Sequence, residues 1–304
     1  MPGPGAVLRA PAKRRGGHSL LTSTENLLDV EAIGTEQGDD PNRWEQGFQF
    51  LPNCESGSGV WLPCEVDPDG KAVPAASDAV VWEPTEFYAG FRCSTWARDR
   101  LDMEARGVDA LARSIDADLE YEFWTGEAAQ DAGNDNPYLA AAGATLVQSG
   151  NEVAVNQALA LLQQALADCL GSEPGTIHAP RHLVSLWEDL YGVHRDVDAD
   201  GVVRLYDTFG NTVIGGAGYD GRGPGEAAPP ADDTLLWAYA TGPTYHLLGE
   251  VQVYADEEWM VLDRETNDEL WRAERVAAAV WNGCCRIAVL VDTCATCCQS
   301  DTGS

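Results

Sequence analysis

The sequence predicts a mixed α+β chain on three observations: one long stretch of helical periodicity, an early pair of apolar runs flanking a turn signal, and a late succession of strand patterns. With 304 residues, 44% of them hydrophobic, the chain can bury a sizeable core in one elaborated domain or two.

In order along the chain, residues 1–24 are rich in Pro, Gly and Arg and read as an extended arm. Residues 25–50 carry short apolar pieces (Leu27, Leu28, Val30, Trp44, Phe48, Phe50). They are expected to lie across another surface rather than form a packed unit. In residues 51–82 the runs Val60–Leu62 and Val80–Trp82 flank Asp67-Pro68-Asp69-Gly70, which is turn chemistry between strands and predicts a long hairpin.

Phe87, Tyr88, Phe91 and Cys93 read as a strand. Residues 96–124 follow as one long helix, with Leu101, Val108, Leu111, Ile115, Leu119, Phe123 and Trp124 largely at helical spacing and Gly126 as the stop. Residues 131–137 read as loop. A second helix is expected over 153–170, ended by Gly171, then a buried strand at 175–179 and a short helix at 181–190. Strands are expected at 202–206, 212–214, 235–240, 250–254 and 286–291. The acidic Gly/Pro stretch 215–233 reads as an exposed loop, and 268–281 as an amphipathic segment.

Charge narrows the function classes. Lys plus Arg total 19 against 49 Asp plus Glu, a net charge of -30, and a body this acidic repels phosphate. The first 18 residues differ: Arg9, Lys13, Arg14 and Arg15 give them +4, which leaves -34 for the other 286. That segment reads either as a solvated tail or as a basic arm facing nucleic acid. No run of about 18 apolar residues predicts a membrane span. No apolar core follows the N-terminal charges as in a secretory signal, so the nine Cys are expected to start reduced in a cytoplasm.

No motif supports catalysis. Gly216-Ala217-Gly218-Tyr219-Asp220-Gly221 spells GxGxxG after a strand, but Pro224, Pro229 and Pro230 leave no room for the helix a pyrophosphate needs. Cys294, Cys297 and Cys298 have metal-knuckle spacing, and Cys284 or Cys285 could complete a zinc set only if the strand between folded back. Small buried cysteines, or disulfides formed after release from a host, are the alternatives. His178 and His182 are four apart with Pro180 between them, and His178 reads as a satisfied core histidine. No catalytic, cofactor-binding or metal-ligating set is expected.

The order of elements resembles the Hong Kong 97-like capsid fold of tailed phages, shared with encapsulin shells. Three passages resemble capsid proteins of actinobacterial phages: Phe123-Trp124-Thr125-Gly126, Gly175-Thr176-Ile177-His178-Ala179-Pro180-Arg181, and Trp237-Ala238-Tyr239-Ala240-Thr241-Gly242-Pro243. Trp271-Arg272-Ala273-Glu274-Arg275 before an apolar strand resembles the late helix-and-strand element of that fold.

The resemblance implies an N-terminal arm over 1–50, an extended E-loop hairpin with its return strand over 51–95, and a peripheral domain with a long spine helix over 96–135. An axial domain with the remaining peripheral strands would fill 136–304. It further implies a major capsid protein and not an enzyme: hexamers and pentamers enclosing double-stranded DNA in a virion made in a bacterial cytoplasm. Packaged DNA would lie near the basic arm, with decoration, scaffold and portal proteins as further partners. Some capsids of this fold crosslink an E-loop Lys to a neighbour's Asn. Lys71 lies in the expected E-loop, but no partner can be assigned, so the crosslink is not carried over. Competing readings are a tail-tube, connector or decoration protein, an encapsulin-like shell, and a cytoplasmic thiol or zinc enzyme.

Overall fold

The computed structural model describes residues 18–28, 43–50, 80–94, 100–254, 268–282 and 285–294. In chain order these form α1 (Leu20–Ser23), β1 (Glu25–Asn26), a 3-10 turn (Arg43–Gln46), β2 (Phe48–Phe50), β3 (Val80–Trp82), β4 (Thr85–Ser94), α2 (Arg100–Thr125) and α3 (Glu127–Ala132). Then come β5 (Thr145–Leu146), β6 (Val153–Ala154), α4 (Val155–Leu170), β7 (Thr176–Pro180), α5 (Arg181–Asp189), β8 (Val193–Val197), β9 (Val203–Asp207) and β10 (Thr212–Gly216). The chain closes with β11 (Leu235–Thr241), β12 (Thr244–Leu248), β13 (Gln252–Tyr254), β14 (Asp268–Trp281) and β15 (Arg286–Asp292).

The larger sheet runs β5-β15-β11-β7-β10-β9-β8, with β6 also on β15. Strand alternation gives it two buried faces. Leu236, Ala238 and Ala240 of β11 and Ile287, Val289 and Val291 of β15 join the apolar cluster of α4 and α5. Trp237, Tyr239 and Ala288 join the cluster of α2 on the other side. This is why β11 and β15 read as continuous apolar runs rather than alternating ones.

The smaller sheet is organised by β14. One edge of β14 pairs antiparallel with β4 over ten residues, and its other edge takes β13 at 272–274 and β12 at 277–281. The short strand β1 adds in parallel outside β12. Helix α2 lies on this sheet through Leu111, Ile115, Leu119 and Phe123, all at most 4% exposed. Ala273, Ala277 and Ala279 supply a low surface for it.

The element order follows the sequence expectation closely, with corrections. The segment 268–281, expected as amphipathic, with 271–275 resembling a late helix-and-strand element, is a 14-residue strand. Its Glu, Leu, Arg and Ala favour a helix in isolation, but hydrogen-bonded neighbours on both edges outweigh a preference of a few tenths of a kcal/mol per residue. Residues 215–233 are not simply an exposed loop, since Tyr219 and Arg222 are buried. The loop expected at 131–137 begins inside α3. Strands β8 and β12 were not expected. Leu27 and Trp44, expected in an arm lying across something else, are buried in this chain's own core. Of the two runs expected to form the hairpin, Val80–Trp82 is β3, and it pairs antiparallel with Phe48–Phe50 (β2), a segment not expected as a strand; Val60–Leu62 and the turn, with Lys71, lie outside the described residues, as do residues 1–17 with the four basic side chains.

Leu119→Ala, which leaves a cavity between α2 and the smaller sheet, is expected to cost about 3 kcal/mol, read as a lower chemical-denaturation midpoint.

Candidate functional site

Three parts of the fold meet at the side chain of Glu120. Residue 120 adjoins the apolar stripe of α2, one turn before Trp124, and is fully buried. Its Oε1 accepts from the Leu20 backbone N–H at 2.9 Å, and its Oε2 accepts from Ala217 at 2.7 Å and Gly218 at 3.0 Å. All three contacts are donations to oxygen, the pattern a carboxylate satisfies. Burial pushes the Glu120 pKa up, while the N–H donors of Gly218, Leu20 and Ala217 and the nearby Arg181 pull against it.

The glycine-rich turn of the GxGxxG stretch therefore does hold an anion, but the anion is the chain's own carboxylate. A Cβ on Gly218 would run into the Ala117 carbonyl oxygen of α2, so the glycine is needed for close approach to the helix. No helix follows the turn before β11.

The next residues plug the gap between α2, α3 and the larger sheet. Tyr219 stacks against Trp124 with ring centroids 4.7 Å apart. Arg222 pairs with Asp220 at 2.7 Å and Glu127 at 2.9 Å and donates to the Tyr121 hydroxyl at 3.0 Å. Its carbonyl oxygen accepts from Trp124 Nε1 at 3.2 Å and Tyr239 Oη at 3.1 Å. Burial opposes the Arg222 charge, but the bonds to Asp220 and Glu127 outweigh it and hold its pKa high.

The arm segment 18–26 is fixed at several further points. His18 Nε2 accepts from the Gly215 backbone N–H at 2.9 Å, so Nδ1 carries the proton and faces the Val203 carbonyl oxygen at 3.3 Å. Arg181 donates to the His18 carbonyl and Arg204 to that of Thr22. Thr24 Oγ1 lies 2.8 Å from His246 Nδ1. Burial lowers the His18 pKa. The Val203 carbonyl and Glu188 act in the opposite sense, and Arg181 and Arg195 add to the lowering.

His178 is the satisfied core histidine the sequence suggested. It is fully buried, with Nδ1 3.1 Å from the Tyr219 hydroxyl and Nε2 3.1 Å from Thr241 Oγ1. Burial pushes its pKa down to about 3. His182 is exposed on α5, so the two histidines share no site. Cys285 is bonded to Cys169 in this structure rather than placed in a zinc set, and Cys284 lies outside the described residues. Cys294 is exposed, and Cys297 and Cys298 lie outside the described residues. Among the described residues no group of three or more His, Cys, Asp or Glu is placed to hold a metal ion, and no helix is long and apolar enough to cross a membrane.

The outer surface carries large uncovered side chains. Tyr191 is 85% exposed and Phe209 75%. Val193 pairs with Asp207, so both leave the same end of the β8–β9 pair, at the outer edge of the larger sheet. Tyr88, 68% exposed, stands on β4 opposite Glu274 of β14. Glu274 is ion-paired with Arg272, and burial together with neighbouring Glu86 raises its pKa.

Glu120, Arg222 and His18 were not singled out from the sequence. A carboxylate four residues before a buried Trp on one helix was the available sign for Glu120. The partners of all three lie roughly 100 residues or more away in sequence, or in a turn expected to be exposed.

No family model matches the sequence, and no curated protein matches it. Solved structures do. The capsid of an empty GTA particle aligns with a TM-score of 0.51 at 13% identity, covering 96% of this chain and 95% of that one. A chain from Gordonia phage Cozz aligns at 0.48 and 14% identity, covering 95% and 91%, and one from Mycobacterium phage Bobi at 0.46 and 14%, covering 96% of each.

Two predictions follow from the arm's contacts. Glu120→Ala, which orphans three buried N–H groups, is expected to cost roughly 3 kcal/mol or more and to speed amide exchange at Leu20 and Gly218 before the rest of the core. For His18, the lowered folded pKa means that its contribution is complete above the free-histidine value of about 6.5 and is lost as pH falls below it. Exchange protection over residues 18–26 should therefore weaken from pH 7 to pH 5, and the pH-dependent part of that change should vanish in His18→Asn. The long α2 on a small sheet, the larger two-faced sheet and end-to-end alignment with a capsid subunit together give this chain the Hong Kong 97-like capsid fold.

Proposed function

We propose that the chain is the structural subunit of an icosahedral phage head, assembling into hexamers and pentamers that enclose double-stranded DNA. The observation that carries this is the match to a capsid subunit along 96% of this chain and 95% of that one, at a TM-score of 0.51. In this reading α2 is the spine helix of a peripheral domain built on the smaller sheet, and the larger sheet is the centre of the axial domain. Residues 1–50 serve as the arm and 51–95 as the E-loop with its return strand.

Physical arguments agree. Aromatic side chains as exposed as Tyr191, Phe209 and Tyr88 are natural contacts between copies, and heterologous contacts that close into rings give hexamers and pentamers. The body's charge keeps it from adhering to DNA, while Arg9, Lys13, Arg14 and Arg15 can reach phosphates. In this reading the chain is made in a bacterial cytoplasm, resides in the virion, carries no catalytic site, and meets portal and decoration proteins there.

Negative-stain electron microscopy of the full chain expressed with its genomic neighbours is expected to show closed shells. Tubes or small rings alone would overturn the reading in favour of a tail or connector component.

A further inference from the structure

The one covalent crosslink among the described residues joins Cys169 to Cys285, 116 positions apart, with Cα atoms 6.3 Å apart. It spans two layers: Cys169 sits in the last turn of α4, and Cys285 directly precedes β15, which lies in the larger sheet between β11 and the short strands β5 and β6.

The two ends of α4 are held differently. Near its start, Val155, Ala158, Leu159 and Leu162 are buried, and Trp187 Nε1 donates to the Val155 carbonyl at 2.9 Å. Near its end Leu166 is buried, but Ala167, Asp168 and Cys169 are exposed, and the chain leaves through Gly171 at φ +68°. Apolar packing thus seats the helix without the crosslink, and in the last turn Leu170 packs half-buried against the same cluster, so the bridge adds to a seat that already exists. The two sulfur-bearing residues also differ: Cys169 is exposed, and Cys285 is 3% exposed inside the apolar cluster under α4.

We propose that the Cys169–Cys285 bridge is a redox-conditional staple, open while the chain folds among reduced thiols and closed once the protein meets a small-molecule disulfide, fastening the end of α4 to the larger sheet. The inference rests on the proposed function only for the change of compartment from host cytoplasm to free particle.

The exposed Cys169 reacts first. Its thiolate attacks the small disulfide, forming a mixed disulfide and expelling one small thiolate. The Cys285 thiolate then attacks the Cys169 sulfur and expels the second. Two protein thiols are oxidised, the small disulfide is reduced to two thiols, and the two protons go to those leaving groups. The closed bridge constrains a long loop in the unfolded chain, so it raises thermal stability without altering the fold.

The test uses the full chain from a reducing bacterial cytoplasm, lysed in denaturant with an alkylating reagent and mapped by mass spectrometry, then repeated on native lysate incubated with glutathione disulfide before denaturation and alkylation. Both cysteines are expected to be alkylated at lysis and, after incubation, to appear as one crosslinked peptide pair. The thermal midpoint should rise by roughly 5 °C or more, reversibly with dithiothreitol. Cys169→Ser and, as a variant that keeps the buried site apolar, Cys285→Ala should fold and lack the rise. A bridge already complete at lysis, a Cys285 that stays alkylatable, or an equal rise in both variants would overturn the proposal. These readouts do not depend on assembly, so a chain that forms no shells contradicts the proposed function and leaves this test intact.

Discussion

A single carboxylate bridges three parts of the chain at one point. Glu120 lies on the long helix, takes its hydrogen bonds from the arm at Leu20 and from the glycine turn at Ala217 and Gly218, and is shut off from water. Burying a carboxyl group is costly unless its oxygens are satisfied, and here three backbone donors satisfy them. The same arrangement serves the donors, since the N–H groups of a turn pressed against a helix have little access to water. The contact therefore fixes residues 18–26, α2 and the end of β10 relative to one another. The Arg222 plug extends the junction by one more layer toward Tyr239 and Trp124.

Around that junction the fold divides its labour. The larger sheet is apolar on both faces at β11 and β15. The smaller sheet is mostly a platform for α2, built low with alanines where the helix crosses it. In the proposed shell, the Coulomb repulsion of a body with this net charge would act between copies as well as within one, and apolar side chains exposed in the single chain would be its counterweight.

Most elements were legible in the sequence because their signals are local. The apolar spacing of Leu111, Ile115 and Leu119 marks α2, Gly126 and Gly171 mark helix ends, and the all-apolar run of β15 marks a strand with two covered faces. What was not legible depends on distant partners. The residues of β14 prefer a helix until β4, β12 and β13 bind its edges. The glycines and prolines of 215–233 look like exposed loop chemistry, yet Gly218 is small so that a turn can touch α2, and Tyr219 and Arg222 are carried inward with it. The resemblance in element order indicated the fold; the Glu120 junction itself carried almost no sequence signature, since one more acidic residue among 49 does not stand out.

The most direct measurement of the central claim is a cryo-electron-microscopy map, at side-chain resolution, of the particles that the proposed function expects, inspected at Glu120. The account predicts density for each Glu120 joined to Leu20, Ala217 and Gly218 of the same subunit. Arms that cross to place Leu20 against a neighbour's Glu120, or a Glu120 side chain turned to solvent, would contradict it.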